Sequence, residues 1–248
     1  MIRLVFKEQP TNKISEVKEM QWRRPEGMDE YLMPTKICDC DNEEVKRKAQ
    51  ELVKDASTPK EAAMKIFYFV RDEVAFGLDF TDVKTSKASH TLRTRTGFCG
   101  LKTNLQIALL RAVGIPARYH RVNIRKELLQ GILSDFTYKH FPEVLYHPHC
   151  ECYLSGKWVA CEAFFDKGLF KGMVEKRFPA ASQIHTIDWD GENDLIVTTP
   201  WVIKDLGTFA SLDDLWTETT RLIVRRSPRI IQRIAIYFSN RHTNKIRQ

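Results

Sequence analysis

The chain has 248 residues, of which 43% are hydrophobic and 29% charged, the composition of a globular protein large enough to bury a core without disulfide support. Its net charge of +7 sits in the last thirty residues, where Thr219 to Gln248 carry eight basic side chains and no acid. The rest holds 31 basic and 32 acidic residues of the chain's 39 and 32, so the body is neutral and a nucleic-acid partner is not expected.

No run of 18 apolar residues marks a membrane span. The opening Met-Ile-Arg-Leu-Val-Phe-Lys is too short and too polar for a secretory leader. The expectation is a cytoplasmic location with reduced thiols, so each of Cys38, Cys40, Cys99, Cys150, Cys152 and Cys161 is core, metal ligand or catalyst.

Residues 1–40, interrupted by Pro10, Pro25 and Pro34, read as strand and loop. Over 42–55, Val45, Ala49, Leu52 and Val53 share one helical face. A second helix opens at Thr58-Pro59-Lys60-Glu61, with Thr58 as cap, Pro59 in the first turn and Glu61 closing a capping box, and runs to about Asp72. Residues 77–96 read as a polar excursion. A third helix is predicted from Phe98 to Val113, buried along the face of Leu101, Leu105, Ala108 and Ala112, and ended by Gly114 and Pro116.

Ala117 to Ile124 reads as a strand, followed by a short helix around Lys126–Leu133. Glu143–Leu154 and Lys157–Phe164 read as a hairpin closed by Ser155-Gly156. Beyond Lys171 the pattern weakens, although Ser211 to Asp214 and Ser227-Pro228 carry helix-start signals.

Cys99 stands in the first turn of the third helix, where unpaired N–H groups and the helix dipole favour a thiolate. Gly97 and Gly100 beside it would allow a substrate backbone to approach. In the hairpin, a two-residue turn sets His149 opposite Glu162 and His147 opposite Phe164. Alternation then puts His147, His149, Glu151 and Glu162 on one face, and Cys150, Cys152, Val159 and Cys161 on the other. An imidazole next to a carboxylate and near a thiolate is the arrangement of nucleophilic cysteine catalysis. The two histidines point away from Cys150 and Cys152, so these four cannot close on one ion. No metal and no cofactor are expected.

Two blocks resemble the transglutaminase-like superfamily: Thr96-Gly-Phe-Cys-Gly followed by Leu109-Leu-Arg-Ala-Val-Gly-Ile-Pro-Ala-Arg118, and His147-Pro-His-Cys-Glu-Cys-Tyr-Leu-Ser-Gly-Lys-Trp-Val-Ala-Cys-Glu162. The resemblance covers about residues 57–166, with Thr58–Asp72 as the helix preceding the cysteine. It implies an α+β, papain-like fold in which a nucleophile helix packs on an antiparallel sheet. It also implies Cys99 as nucleophile, His147 as catalytic histidine and Glu162 as the acid. Most members carry Asp where Glu162 stands, which leaves Asp166 as an alternative. His149 stands where many members have an aromatic residue, which leaves a two-residue shift open.

The activity so implied is cysteine-dependent acyl transfer on a peptide, protein or small amide or thioester substrate, hydrolytic in the first reading. Amide-forming transfer to an amine is the second reading, and a non-catalytic peptide- or partner-binding module the third. Residues 1–210 are expected to form this domain and 211–248 a basic amphipathic helical segment. That segment either packs on the body or meets an anionic membrane surface or acidic partner through Ile230, Ile231, Ile234, Tyr237 and Phe238 beside Arg229, Arg233 and Arg241. Arg118, Arg121 and Arg125 read as solvated surface rather than anion selectors, and Trp158 and Trp201 as packing residues.

Overall fold

A computed structural model of the chain describes Trp22, residues 25–79, Asp82, residues 84–214 and residues 229–248. Most of the expected N-terminal strand and the helix start at Ser227-Pro228 lie outside these residues, as do Arg221, Arg225 and Arg226 of the basic tail.

Helix α1 (Glu43–Val53) starts at Asn42, whose side chain accepts from the N–H groups of Glu44 and Val45, and buries Val45, Ala49 and Val53. Helix α2 (Pro59–Glu73) starts at Thr58, whose hydroxyl accepts from Glu61 N. Glu61 reaches back one residue further than a capping box requires, to Ser57 N at 2.7 Å. The predicted excursion is partly built: strand β1 (Ala75–Phe76) pairs in parallel with β2 (Thr96–Gly97), and α3 (Ala88–Thr94) buries Ala88, Ser89, Thr91 and Leu92. Its polar composition hid it, because Ser89 is held by buried Asp39 rather than by solvent.

Helix α4 (Cys99–Ala112) departs from expectation in one respect. It is buried all round from Gly100 to Arg111, not along one stripe. Its polar side chains serve as ties to the surrounding elements. Lys102 Nζ donates to the carbonyls of Arg71 and Val74 at the end of α2. Asn104 binds Ile37 O and Ser86 O, and Gln106 binds Cys161 O. Arg111 binds the carbonyls of Met33, Ala117 and Ala210. Buried polar groups are tolerable when each finds a partner. Gly114, at φ +83°, ends the helix, with Ile115 N returning to Leu110 O.

Strand β3 (Ala117–Arg125) leads to a 3-10 turn at Lys126–Leu129 and then to α5 (Asp135–His140), later than the single short helix predicted. Strands β4 (Val144–Leu154) and β5 (Lys157–Ala160) form the predicted hairpin, with Glu151 opposite Ala160 and Leu154 opposite Lys157. Ser155 and Gly156 both take positive φ, as a tight hairpin turn requires.

Helix α6 (Lys167–Glu175) and strand β6 (Val202–Phe209) carried no clear sequence pattern. The antiparallel sheet runs β5-β4-β3-β6, with α4 packed against β3 and β4. Asp213 and Asp214 are helical, with Ser211 Oγ accepting from Asp213 N. The fold is α+β.

The last helix, α7 (Arg229–Ile246), is anchored at its C-terminal half. Asn240 exchanges two hydrogen bonds with the backbone of Leu78, and His242 Nε2 donates to Gly131 O. Arg247, just past the helix, grips Asp166. Its N-terminal half leaves Ile230, Ile231, Ile234, Tyr237 and Phe238 exposed. Among the described residues no helix is long and apolar enough to cross a membrane.

Candidate active site

Cys99 is the first residue of α4 and is partly exposed, whereas the other five cysteines are buried. Phe98, at the N-cap, supplies no side-chain cap to the first turn. Cys150, Cys152 and Cys161 fill the interior side of the hairpin, as the register predicts. Gly97 is required by packing: a Cβ there would lie 2.8 Å from Leu101 Cβ.

The histidine strand is locked to the cysteine helix. Thr103, one turn beyond Cys99, donates its hydroxyl to the carbonyl of Pro148 at 3.0 Å. Pro148 separates the two histidines of β4, so one hydrogen bond sets the height of Cys99 relative to His147.

His147 is 1% exposed, and its Nε2 lies 2.5 Å from Glu162 Oε1. The second carboxylate oxygen, Oε2, accepts from both the backbone N–H and the hydroxyl of Thr198, at 3.1 and 3.2 Å. Phe164 stands edge-on to the imidazole at 5.0 Å. The other ring nitrogen, Nδ1, is buried with no hydrogen-bond partner among the described residues.

Burial alone would lower the pKa of His147. The charges of Cys99 and Glu162, and its hydrogen bond with Glu162, outweigh burial and raise it to about 10. Glu162 shows the mirror balance: burial would raise its pKa, but the charge and hydrogen bond of His147 and the Thr198 N–H hold it below the usual carboxylate value.

Glu162 thus meets His147. Asp166 is engaged elsewhere. It caps α6 through Leu169 N, accepts from Phe76 N, and pairs with Arg247. His149, also 1% exposed, stacks on His120 with ring centroids 4.8 Å apart. Burial, together with the charges of His147 and His120, lowers its pKa to about 4.

The three arginines are bound within the fold. Arg118 pairs with Glu151 and lies over Trp158, Arg121 lies over Phe209, and Arg125 donates to Pro200 O. Trp201 is buried, and Trp158 packs edge-on against Tyr31 and Tyr153. Sequence reasoning did not find Thr198, which lies 36 residues from Glu162 in an irregular segment. Thr103 was overlooked because a threonine in a helix carries no positional signal of its own.

The site holds a cysteine at the head of a buried helix and a strand histidine whose Nε2 meets a carboxylate. Residues 46–163 match the family model of the transglutaminase-like superfamily, so this stretch carries that superfamily's core. Among solved structures, the chain resembles a "Putative Cysteine Protease" from Cytophaga hutchinsonii at 18% identity and a TM-score of 0.49, over 77% of this chain and 49% of that one. A protein described as a "putative protease" from Parabacteroides distasonis matches at 15% identity and a TM-score of 0.36, over 54% of this chain and 24% of that one. The chain thus spans about half the length of the first structure. No curated protein matches it.

Proposed function

We propose that the protein is a cysteine-dependent acyl-transfer enzyme with Cys99 as nucleophile, His147 as general acid and base, and Glu162 as the group that orients and charges the imidazole. The observation that carries this reading is the buried His147–Glu162 pair, which spends Nε2 on the carboxylate and leaves Nδ1 without a partner beside the helix that begins with Cys99. A purely structural histidine would be expected to satisfy both nitrogens.

In the reaction, the Cys99 thiolate attacks the carbonyl carbon of an amide, and the carbonyl electron pair moves to oxygen. The N–H groups at the start of α4 stabilise that oxyanion. His147 gives its proton to the departing amine as the C–N bond breaks, leaving a thioester on Cys99. Water, deprotonated by His147, then attacks the thioester, releasing a carboxylic acid and restoring the thiolate. An amine in place of water gives a new amide through the same steps. We favour hydrolysis of peptide or amide bonds, with transfer to an amine second. A binding module without catalysis would have no need of a charged, desolvated histidine–carboxylate pair next to a thiol.

The test is alkylation of the native protein by iodoacetamide at neutral pH, followed by mass at each cysteine, alongside Cys99→Ala and His147→Asn. Cys99 is expected to react at least about tenfold faster in the native protein than in His147→Asn. Equal rates in the two would overturn the assignment. A p-nitrophenyl ester then separates the chemistries: both predict one equivalent of nitrophenolate in a burst with acyl on Cys99. Faster turnover on adding a primary amine marks the transferase, and unchanged turnover marks the hydrolase.

A further inference from the structure

Beside the Cys99 site, three side chains from two strands converge on one point. His120 of β3 lies directly opposite His149 of β4, and Glu151 follows His149 on the same face. One donor atom from each of the three lies within 4.8 Å of the others. His120 belongs to the neighbouring strand, so this trio is distinct from the set of His147, His149, Cys150 and Cys152, whose side chains point to opposite faces of β4.

His149 is the anomaly. It is 1% exposed, and neither ring nitrogen has a partner among the described residues. Desolvating an imidazole without any hydrogen bond carries the full penalty of the unpaired groups. Such an orphan asks for a ligand.

The other two donors already have the supporting contacts that metal ligands require. His120 Nε2 is held by Asp205 Oδ1 at 2.9 Å, which fixes the ring and turns Nδ1 toward Glu151 Oε1, 2.6 Å away. Glu151 Oε2 is held by Arg118 Nε at 2.6 Å, leaving Oε1 for the interior of the cluster. Asp205 reaches this place through an irregularity in β6. The register with β3 shifts at Leu206–Gly207, so Asp205 faces Val122 rather than Asn123 and joins the His120 side of the sheet. The cluster opens toward solvent at its outer end: the Asp205 side chain is 63% exposed and that of His120 is 20% exposed.

We propose that His120, His149 and Glu151 bind one divalent transition-metal ion of zinc's class, with Asp205 and Arg118 orienting two of the ligands. Two imidazoles and one monodentate carboxylate form a donor set that suits such an ion and leaves a fourth position for water. The ion displaces the hydrogen bond between His120 Nδ1 and Glu151 Oε1. It would tie β3 to β4 next to the strand segment that carries His147.

The full chain, stripped with a chelator, is dialysed against micromolar zinc and the bound metal counted by elemental mass spectrometry. Cobalt substitution reads the ligands. Native protein and Cys99→Ala are each expected to take up one equivalent, with visible cobalt d–d bands, no thiolate-to-cobalt charge transfer, and a melting temperature raised by zinc. His120→Gln and Glu151→Gln are expected to lose the equivalent and the shift while keeping the native circular dichroism. Absence of binding, a charge-transfer band, or uptake lost in Cys99→Ala and kept in His120→Gln would each overturn the site. If either variant fails to fold, the cobalt spectrum of the native protein decides between nitrogen–oxygen and thiolate ligation.

Discussion

At the scale of single residues, the question is what keeps a histidine charged in a dry interior. Glu162 supplies the counter-charge and Thr198 fixes the carboxylate with two donors. Glu162→Gln preserves shape but removes the charge, and is expected to slow alkylation of Cys99 about tenfold, since one pKa unit equals about 1.4 kcal/mol. Thr198→Val removes one hydrogen bond of two, worth about 1 kcal/mol, so about a fivefold loss is expected. Both are measured by the iodoacetamide rate, with circular dichroism to verify the fold. Cys99, His147 and Glu162 could be named as candidates from the sequence, with Asp166 and His149 as alternatives. That the carboxylate is Glu162 rather than Asp166, and that it meets His147 rather than His149, required the fold. Asp166 is taken by Arg247, and His149 by its stack on His120.

Between elements, positions are set by single polar ties and close approaches. Thr103→Val removes the bond from α4 to Pro148 O and leaves a buried carbonyl short of a donor. A stability loss of about 1–3 kcal/mol is expected in a denaturant titration, together with slower alkylation of Cys99. Gly172 lies where α6 meets the end of α7, and a Cβ there would stand 1.8 Å from Ile246 O. Backbone cannot yield as a side-chain tip can, so Gly172→Ala is expected to undock the end of α7. Faster proteolysis within residues 229–248, with the native sheet retained, is the readout. The periodicity of α1, α2 and α4 was readable, and the hairpin register followed from its two-residue turn. α3, α6 and β6 were not readable, because their residues are chosen for contacts to distant segments and not for a repeating pattern.

Across the whole molecule, the ion pair of Arg247 with Asp166 ties the chain's last residues to the cap of α6 and to β1. Burial would raise the Asp166 pKa, but the bonds and charge of Arg247 and the charge of Lys102 hold it below its ordinary value. A depressed carboxylate pKa adds stability above the unfolded value, about 3.9, which is lost as pH falls through the folded one. Arg247→Met is therefore expected to cost about 2 kcal/mol near neutral pH, with the gap from the native protein closing below about pH 4. Denaturant midpoints for both proteins across that range measure it; a gap that stays constant to low pH would exclude the pair as its source. The same contacts show that the C-terminal half of α7 packs on the body, while its N-terminal half presents the apolar side chains that the amphipathic pattern predicted.

The sequence by itself determined the helix that begins at Cys99, the hairpin that carries His147, and the face-by-face sorting of histidines from cysteines. These follow from local rules: an apolar helical repeat ended by Gly114 and Pro116, a two-residue turn and the period of a strand. Only the tertiary structure decided which acid meets which histidine, why α4 is buried all round, and that His120 stands opposite His149. Those outcomes depend on segments dozens of residues apart being brought within hydrogen-bonding distance, and no local pattern records where a distant partner will arrive. Cys99 is a nucleophile candidate by its place in the sequence, and the fold alone brings Thr103 to Pro148, and Glu162 with Thr198 to His147.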